Sequence, residues 1–449
     1  MKIKSKEGRP LPIFTSINTV AVIVGIVIGI GIFRLPPIVA ANSANELTFL
    51  LFWIAGGIIS ALGALCYAEL AALKPDAGGE YHFLNQGYGP SVGFLFSWGR
   101  MTVIQTGSIA LASFILGDYA SLIFDMGTYS SAIYAGTTVI ILTGLNILGT
   151  SYSKSAQNVI TSIVVLLLVI TAIFSLVADT SVPPPPSDEG GGLQTSSAGA
   201  AMIFVLLTYG GWNEAAYLSA ELKDVRHNML GVLLSGIAII TITYVLINYA
   251  YLHVLGFDFL QNTEAVGVDL TEQVFGPGGG LFMAVIVIVS ALSTVNATII
   301  TGARTNYALG RDFSLLSYLG RWDGIRNTPR NALIVQGVIT LLLIIVGGVT
   351  KQAVVTMVDY TAPVFWFFLL LTTIALFIFR SRNNHNDIPY KVPMYPLTPL
   401  IFVLACLFML YSSLTFTGIG ALFGVGVLLL GVPILVWARR HKINSNTYI

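Results

Sequence analysis

The chain contains 449 residues, of which 55% are hydrophobic and only 10% are charged, and its formal net charge is +1. Soluble globular proteins carry about 25% charged residues, so this composition excludes a soluble globular protein. The small net charge gives no indication of a nucleic-acid partner, and we expect none.

Long apolar stretches recur along the whole chain, each close to the roughly 20 residues that a helix needs to cross a bilayer. The sequence therefore predicts an all-α membrane protein with twelve transmembrane helices, which we number spans 1 to 12. Their predicted ranges are 13–40, 47–73, 90–118, 128–150, 156–179, 198–219, 230–254, 279–309, 331–349, 353–379, 394–413 and 416–438.

Lysine and arginine are concentrated in the N-terminal segment, in the loops after the even-numbered spans and in the C-terminal tail. The opposite loops carry aspartate and glutamate with one lysine, Lys351. By the positive-inside rule, both termini face the cytoplasm, in agreement with an even number of spans. The sequence thus predicts a multi-pass protein of the cell (inner or plasma) membrane, with cytoplasmic segments 1–12 and 439–449.

Two further features concern the extracellular side. Segment 180–197 contains four consecutive prolines and three glycines, which predict an extended extracellular loop after span 5. The two cysteines, Cys66 and Cys406, lie inside spans 2 and 11, so we expect no disulfide-linked heavy subunit. We expect a monomer or a weak oligomer.

Glycines interrupt two of the apolar spans at corresponding places in two halves of the chain. Span 1 contains Gly29 and Gly31, and span 6 contains Gly210 and Gly211. In hydrocarbon an unbroken helix satisfies its own backbone groups, so a broken helix must line a cavity or be buried in protein. Two matching breaks are typical of the substrate site of a secondary transporter.

Several segments match a known pattern in the same order along most of the chain. The run 29–33 resembles the first-span signature of the amino acid–polyamine–organocation superfamily. Other segments resemble the L-type amino acid transporter branch. Residues 209–214 and 220–224 resemble its sixth span, residues 291–312 resemble its eighth span, and residues 327–330 resemble the cytoplasmic start of its ninth span.

This resemblance implies a LeuT-type fold of 5+5 inverted repeats, with spans 1 and 6 discontinuous. The first repeat would comprise residues 13–179, the second 198–379, and two peripheral helices 394–438. It also implies an amino acid transporter. No nucleotide-binding glycine loop, metal-spaced His/Cys cluster or catalytic triad occurs in the sequence, so we expect no enzymatic activity.

A zwitterionic amino acid requires donors for its carboxylate and acceptors for its ammonium group, and broken helices supply both. The backbone N–H groups opened at the first break favour an anion, and carbonyls freed before each break can accept from an ammonium group. Glycine lets the backbone approach a ligand, although small residues also pack membrane helices closely. The predicted substrate-binding residues are Val27, Gly29, Ile30, Gly31, Leu207, Tyr209, Gly210, Gly211, Asn213 and Glu214.

The charges near the breaks indicate a neutral substrate, because no lysine, arginine or aspartate is expected near them at midplane depth. Glu214 lies one turn past the second break, where an ionisable residue is functional by default. It is either a proton-coupling group, a ligand of the substrate ammonium, or a hydrogen-bonded group that fixes span 6 to a neighbour. We expect Arg100 to lie near the cytoplasmic end of span 3 and to extend to the interface.

Arg34 and Asp359 form a candidate outer gate. In related sodium-coupled symporters an arginine of span 1 and an aspartate of span 10 close the outer vestibule, and the resemblance implies the same role here. The alternative is that Arg34 reaches the interface and that Asp359 caps its helix.

A cation site is also possible. Ser290, Ser293 and Thr294 lie on one face of span 8, and by resemblance they form a sodium site with the carbonyls of Gly25 and Ile28. Many sodium-independent relatives carry a lysine in span 5 at the position that Val164 occupies here. The hydroxyls would alternatively bond to neighbouring helices. Apart from possible Na⁺ or H⁺ coupling, we expect no cofactor.

The sequence therefore predicts a transporter that moves neutral L-amino acids by alternating access, through exchange or facilitated transport. A sodium- or proton-coupled symporter is the alternative. A channel or a transporter-like amino acid sensor is a more distant one.

Overall fold

We describe the fold from a computed structural model of the protein. It describes residues 14–76, 78–177, 198–219, 222–263, 265–349, 353–382, 390–416 and 418–437. The predicted terminal segments 1–12 and 439–449 and the predicted loop 180–197 lie outside these residues. Within them the chain is helical and forms no β-strand, only two isolated backbone bridges.

The helices are named α1 to α19 in chain order. Their bounds are α1 Ser16–Val27, α2 Gly31–Arg34, α3 Pro36–Ala41, α4 Glu46–Leu73, α5 Glu80–Tyr88, α6 Pro90–Gly99, α7 Gln105–Ile123, α8 Ser130–Leu148, α9 Thr150–Val177, α10 Ala198–Tyr209, α11 Ala215–Leu218, α12 Val225–Leu255, α13 Phe257–Asn262, α14 Val266–Phe275, α15 Gly279–Asp312, α16 Arg330–Val349, α17 Ala353–Arg382, α18 Leu397–Phe416 and α19 Gly418–Leu429. Short 3₁₀ turns occupy Trp212–Glu214 and Ser314–Leu316, and a π-helical turn at Arg100–Ile104 joins α6 to α7.

Among the residues that the structure describes, ten helical segments are long and apolar enough to cross a membrane, and they coincide with predicted spans 1 to 4 and 7 to 12. Predicted span 5 corresponds to α9, whose described apolar part, Thr161–Val177, is shorter. Predicted span 6 is divided between α10 and α11. The prediction of an all-α, multi-pass membrane protein is confirmed.

Both predicted helix breaks are present. In span 1 the helix stops at Val27 and resumes at Gly31, because Ile28 turns out of the helical region with ψ of 69°. In span 6 the helix stops at Tyr209, and Gly211 adopts a φ of +113°, a left-handed conformation that favours glycine. The broken segments lie inside the bundle, where α1 packs against α9, α12 and α15.

A buried ion pair fixes span 10 to span 2. Arg380 donates from Nε and Nη2 to the two carboxylate oxygens of Glu69, each over 2.6 Å. The backbone N–H of Val392 donates to the same carboxylate over 2.6 Å. Glu69 is fully buried, so this geometry satisfies a charge that is costly to desolvate.

We predict that Glu69→Gln destabilises the protein by about 3–5 kcal/mol, because it leaves the buried guanidinium of Arg380 without a carboxylate. The measurement is the thermal unfolding midpoint of the purified protein in detergent. Glu46→Gln, at the exposed start of the same helix, is the matched control. Equal midpoints for the two variants would contradict a stabilising role for the pair.

Candidate substrate site

A cavity of about 150 Å³ lies between the two helix breaks. Side chains of spans 3, 8 and 10 complete its wall, mostly with aliphatic and aromatic groups. The predicted substrate-binding residues that line it are Val27, Ile30, Gly31, Leu207, Gly210, Gly211, Asn213 and Glu214. The sequence-based site is therefore brought together in one place.

Gly29 and Tyr209, two other predicted substrate-binding residues, lie outside the cavity lining. A Cβ on Gly29 would collide with Oγ1 of Thr294 in span 8. Tyr209 points to span 2, where its hydroxyl donates to the carbonyl of Trp53 over 2.9 Å. Gly29 thus serves helix packing, and Tyr209 holds span 6 against span 2.

The other break glycines also allow close packing. A Cβ on Gly31 would lie 3.0 Å from Cγ2 of Thr208, and one on Gly211 would collide with the side chain of Ile26. The two broken helices therefore touch each other at their glycines. Gly31 and Gly211 both line the cavity and join the two helices, so ligand approach at these glycines stays a prediction beside their role in helix packing.

The backbone at the first break offers fewer free groups than the sequence predicts. The N–H of Gly29 donates to the carbonyl of Val27 over 2.7 Å, so it is not available to a ligand. The helix that begins at Gly31 leaves its first N–H groups without intrahelical acceptors. Ile30 and Gly31 line the cavity, and their N–H groups are the donors that remain.

Tyr244 of span 7 bridges the two breaks, and sequence reasoning did not identify it. Its fully buried hydroxyl lies 2.5 Å from the carbonyl oxygen of Val27 and 3.0 Å from that of Thr208, so its single proton is shared between these two acceptors. With Gly29, it fills both acceptor positions of the Val27 carbonyl. The carbonyl of Leu207 accepts from Gly210 over 3.0 Å and keeps a second lone pair.

Arg100 is buried beside the second break, so the expectation that it reaches the interface is wrong. Its side chain is 2% exposed, and its Nη2 lies 2.7 Å from each carboxylate oxygen of Glu214. It sits at the start of the π-helical turn of span 3, about ten residues inside Pro90. The expectation that no arginine lies near the breaks is therefore also wrong.

Glu80, at the start of α5, belongs to the same charge cluster. Its carboxylate accepts from the hydroxyls of Tyr67 and Tyr217 and from Nδ2 of Asn213, and it lies 3.7 Å from Nη1 of Arg100. Burial raises the pKa of Glu80, while Arg100 and the tyrosine hydroxyls oppose that shift. We use "charge cluster" for Arg100, Glu214 and Glu80 with these partners.

Two more contacts hold the guanidinium of Arg100 in place. Its Nε donates to Oγ1 of Thr305 in span 8 over 3.1 Å, and its centre lies 4.0 Å from the ring centroid of Tyr217. The charge cluster thus joins spans 2, 3, 6 and 8 with α5. It lies on the side of the cavity that the predicted topology assigns to the cytoplasm.

The predicted gate residues Arg34 and Asp359 differ in their placement. Arg34 ends α2, which packs against the helix Val266–Phe275. Asp359 does not line the cavity, because its Cβ faces Gly420 in span 12. The face of span 10 that lines the cavity carries Val354, Val358, Thr361, Ala362 and Phe365.

The residues of the predicted sodium site do come together. Ser290 donates to the carbonyl of Ile28 over 3.1 Å, and Thr294 donates to that of Gly25 over 3.2 Å. Ser293 is buried nearby on the same helix. These bonds tie span 8 to the broken part of span 1. Val164, at the position where sodium-independent relatives carry lysine, is buried in the core.

Comparison with known proteins decides the family. Residues 14–437 match the amino acid permease family. The chain belongs to this family. The resemblance to the amino acid–polyamine–organocation superfamily is thereby confirmed, and the cavity described here lies between the broken helices of an amino acid permease.

Three relatives show which permeases are similar. The b(0,+)-type amino acid transporter 1 of Mus musculus is 30% identical over 405 residues, covering 89% of this chain and 82% of the relative. The serine/threonine exchanger SteT of Bacillus subtilis is 25% identical over 423 residues, covering 94% and 95%. The large neutral amino acids transporter small subunit 2 of Mus musculus is 27% identical over 440 residues, covering 95% and 81%.

We predict that Tyr244→Phe weakens amino acid binding by this permease, because carbonyls of both breaks lose their shared donor. The dissociation constant should rise roughly tenfold, equivalent to about 1.4 kcal/mol and within the cost of unpaired buried groups. The measurement is substrate-dependent thermal stabilisation of the purified protein. Tyr249→Phe, at a half-exposed position of the same helix, is the control. Identical affinities in the two variants would refute the bridging role.

Proposed function

We propose that this permease moves neutral L-amino acids across the cell membrane by alternating access, as an exchanger or facilitator. The observation that carries the proposal is the cavity between two helix breaks in an amino acid permease. The relatives support it, because one is named a serine/threonine exchanger and another a transporter of large neutral amino acids.

The proposed architecture is the twelve-span arrangement of the sequence, with both termini cytoplasmic. Residues 13–179 and 198–379 form the two inverted repeats, and 394–438 form two peripheral helices. Spans 1, 2, 6 and 7 move against spans 3, 4, 8 and 9. The mostly apolar wall contributed by spans 3, 6 and 10 suits an uncharged substrate side chain.

The proposed binding mode follows from the groups that the structure leaves available. The carboxylate binds the N–H groups of Ile30 and Gly31 at the start of the resumed helix. The ammonium group donates hydrogen bonds to the carbonyl of Leu207 and to the side chains of Asn213 and Glu214, and these three residues line the cavity. Arg34 lies just outside the first break and acts as one residue of the outer gate. Asp359 is its proposed partner in that gate.

We predict that Gly31→Val abolishes amino acid binding. Its Cβ would already lie 3.0 Å from Thr208, and its methyl groups would occupy the space proposed for the carboxylate. The measurement is saturable uptake into proteoliposomes at matched protein content. Gly144→Val is the control, because a Cβ there meets no atom within 4 Å. Uptake by Gly31→Val with unchanged affinity would exclude this carboxylate site.

Sodium-coupled symport is the second candidate, favoured by the hydroxyl and carbonyl oxygens of Ser290, Thr294, Ile28 and Gly25 that lie together. Oxygen ligands suit a hard cation. If the protein is an exchanger, the same bonds simply attach span 8 to span 1.

We predict that counterflow of a preloaded neutral amino acid in proteoliposomes proceeds at the same rate in sodium, in potassium and with or without a pH gradient. Acceleration by inward sodium that is lost in Ser290→Ala would establish symport instead, and acceleration by inward protons would establish proton coupling. Flux without saturation would indicate a channel, and binding without flux would indicate a sensor.

A further inference from the structure

The charge cluster bears directly on which amino acids the cavity accepts. Among the residues that the structure describes as lining the cavity, Glu214 is the only ionisable one. An unpaired carboxylate in such a wall would attract a cationic side chain strongly, because the low local dielectric magnifies the interaction between charges. The partner of Glu214 therefore decides what charge the cavity presents.

The guanidinium of Arg100 is directed to Glu214 rather than to Glu80. Its Nη2 lies 2.7 Å from both oxygens of Glu214, whereas its Nη1 lies 3.7 Å from Glu80. Three neutral donors, the hydroxyls of Tyr67 and Tyr217 and the amide of Asn213, bond to Glu80. These three hydrogen bonds stabilise the carboxylate of Glu80, so it depends only partly on the charge of Arg100.

The position of Arg100 makes it a neutralising partner and not a ligand. It is outside the cavity lining, behind Glu214, and the Tyr217 ring and Thr305 hold it there. Its side chain is 2% exposed, so its counter-ions are the protein's own carboxylates, Glu214 and the more distant Glu80. Removing it would leave the carboxylate of Glu214 facing the cavity uncompensated.

We propose that Arg100 sets the charge selectivity of this permease: by neutralising Glu214 it restricts the cavity to amino acids with uncharged side chains. Amino acids with a cationic side chain, such as lysine, are rejected because Glu214, the carboxylate that borders the cavity, is already paired with a guanidinium, whereas Glu80 lies outside the cavity lining. This inference rests on the proposed function. Arg100 is a specificity-determining residue that acts through Glu214 and need not touch the substrate.

The test compares saturable uptake of radiolabelled L-leucine and L-lysine by wild type, Arg100→Gln and the double variant Arg100→Gln/Glu214→Gln in proteoliposomes. In Arg100→Gln, we expect the lysine-to-leucine uptake ratio to rise on the order of tenfold or more, since roughly 1.4 kcal/mol of preference suffices. The double variant should lose that gain, because the unpaired carboxylate is gone. A purely structural role for Arg100 would lower both uptakes without changing their ratio.

A second pair of variants leaves the charge cluster intact and decides the question if Arg100→Gln does not fold. Ser108 lines the cavity from span 3, and its hydroxyl bonds only to its own helix in the contacts described, at the carbonyl of Ile104. Ser108→Asp adds a carboxylate that Arg100 does not neutralise and should raise the lysine-to-leucine ratio. Ser108→Asn, of equal size and uncharged, should not.

Each outcome has a defined meaning. An unchanged ratio in monodisperse, correctly inserted Arg100→Gln, or in Ser108→Asp where Arg100→Gln fails to fold, would overturn the proposal. Wild type that carries lysine as well as leucine would overturn it too. Wild type that carries neither amino acid, nor any other neutral one in counterflow, would instead refute the proposed function.

Discussion

Hydrocarbon provides no hydrogen bonds, so every interruption of a membrane helix must find partners within the protein. The rest of this structure follows from how it meets that requirement at two breaks. Tyr244 donates to carbonyls of both broken helices, Gly29 bonds back to Val27, and Ser290 and Thr294 bond from span 8 to span 1. The backbone groups that remain available at the breaks, such as the N–H groups of Ile30 and Gly31, are few, and they border the cavity.

The features that the sequence predicted correctly are those encoded locally. Apolar length predicts the ten described segments that are long enough to cross a membrane, and the glycines around residues 29 and 211 predict the breaks, since hydropathy and backbone freedom depend on neighbouring residues only. The errors depend on three-dimensional packing. The distance of Arg100 from the nearest loop predicts an interfacial side chain, but its burial depends on Glu214, which lies 114 residues away in sequence. The orientation of Asp359, whose Cβ faces span 12, and the reach of Tyr244 to both breaks also depend on how whole helices pack, which no local pattern contains, and the outer gate itself stays a prediction.

The glycines illustrate how two correct physical arguments compete for the same residues. Glycine permits a ligand to approach the backbone, and it equally permits one helix to approach another. The space beside Gly29 is filled by the side chain of Thr294. Gly31 and Gly211, in contrast, border both the cavity and the opposite broken helix. The structure thus uses one residue type to bring the halves together and to leave room between them.

The charge cluster also has a consequence for how the chain is made. Arg100 enters the membrane with span 3 while Glu214 is still 114 residues from being synthesised, a delay on the order of ten seconds at about 5–20 residues per second. Inserting an unpaired arginine at the centre of the bilayer costs at least about 2.5–3.5 kcal/mol of free energy. Glu80 precedes Arg100 in the chain and already lies within reach of it in the folded state. Of the two carboxylates beside Arg100, Glu80 is therefore synthesised before it, and Glu214 follows only with span 6.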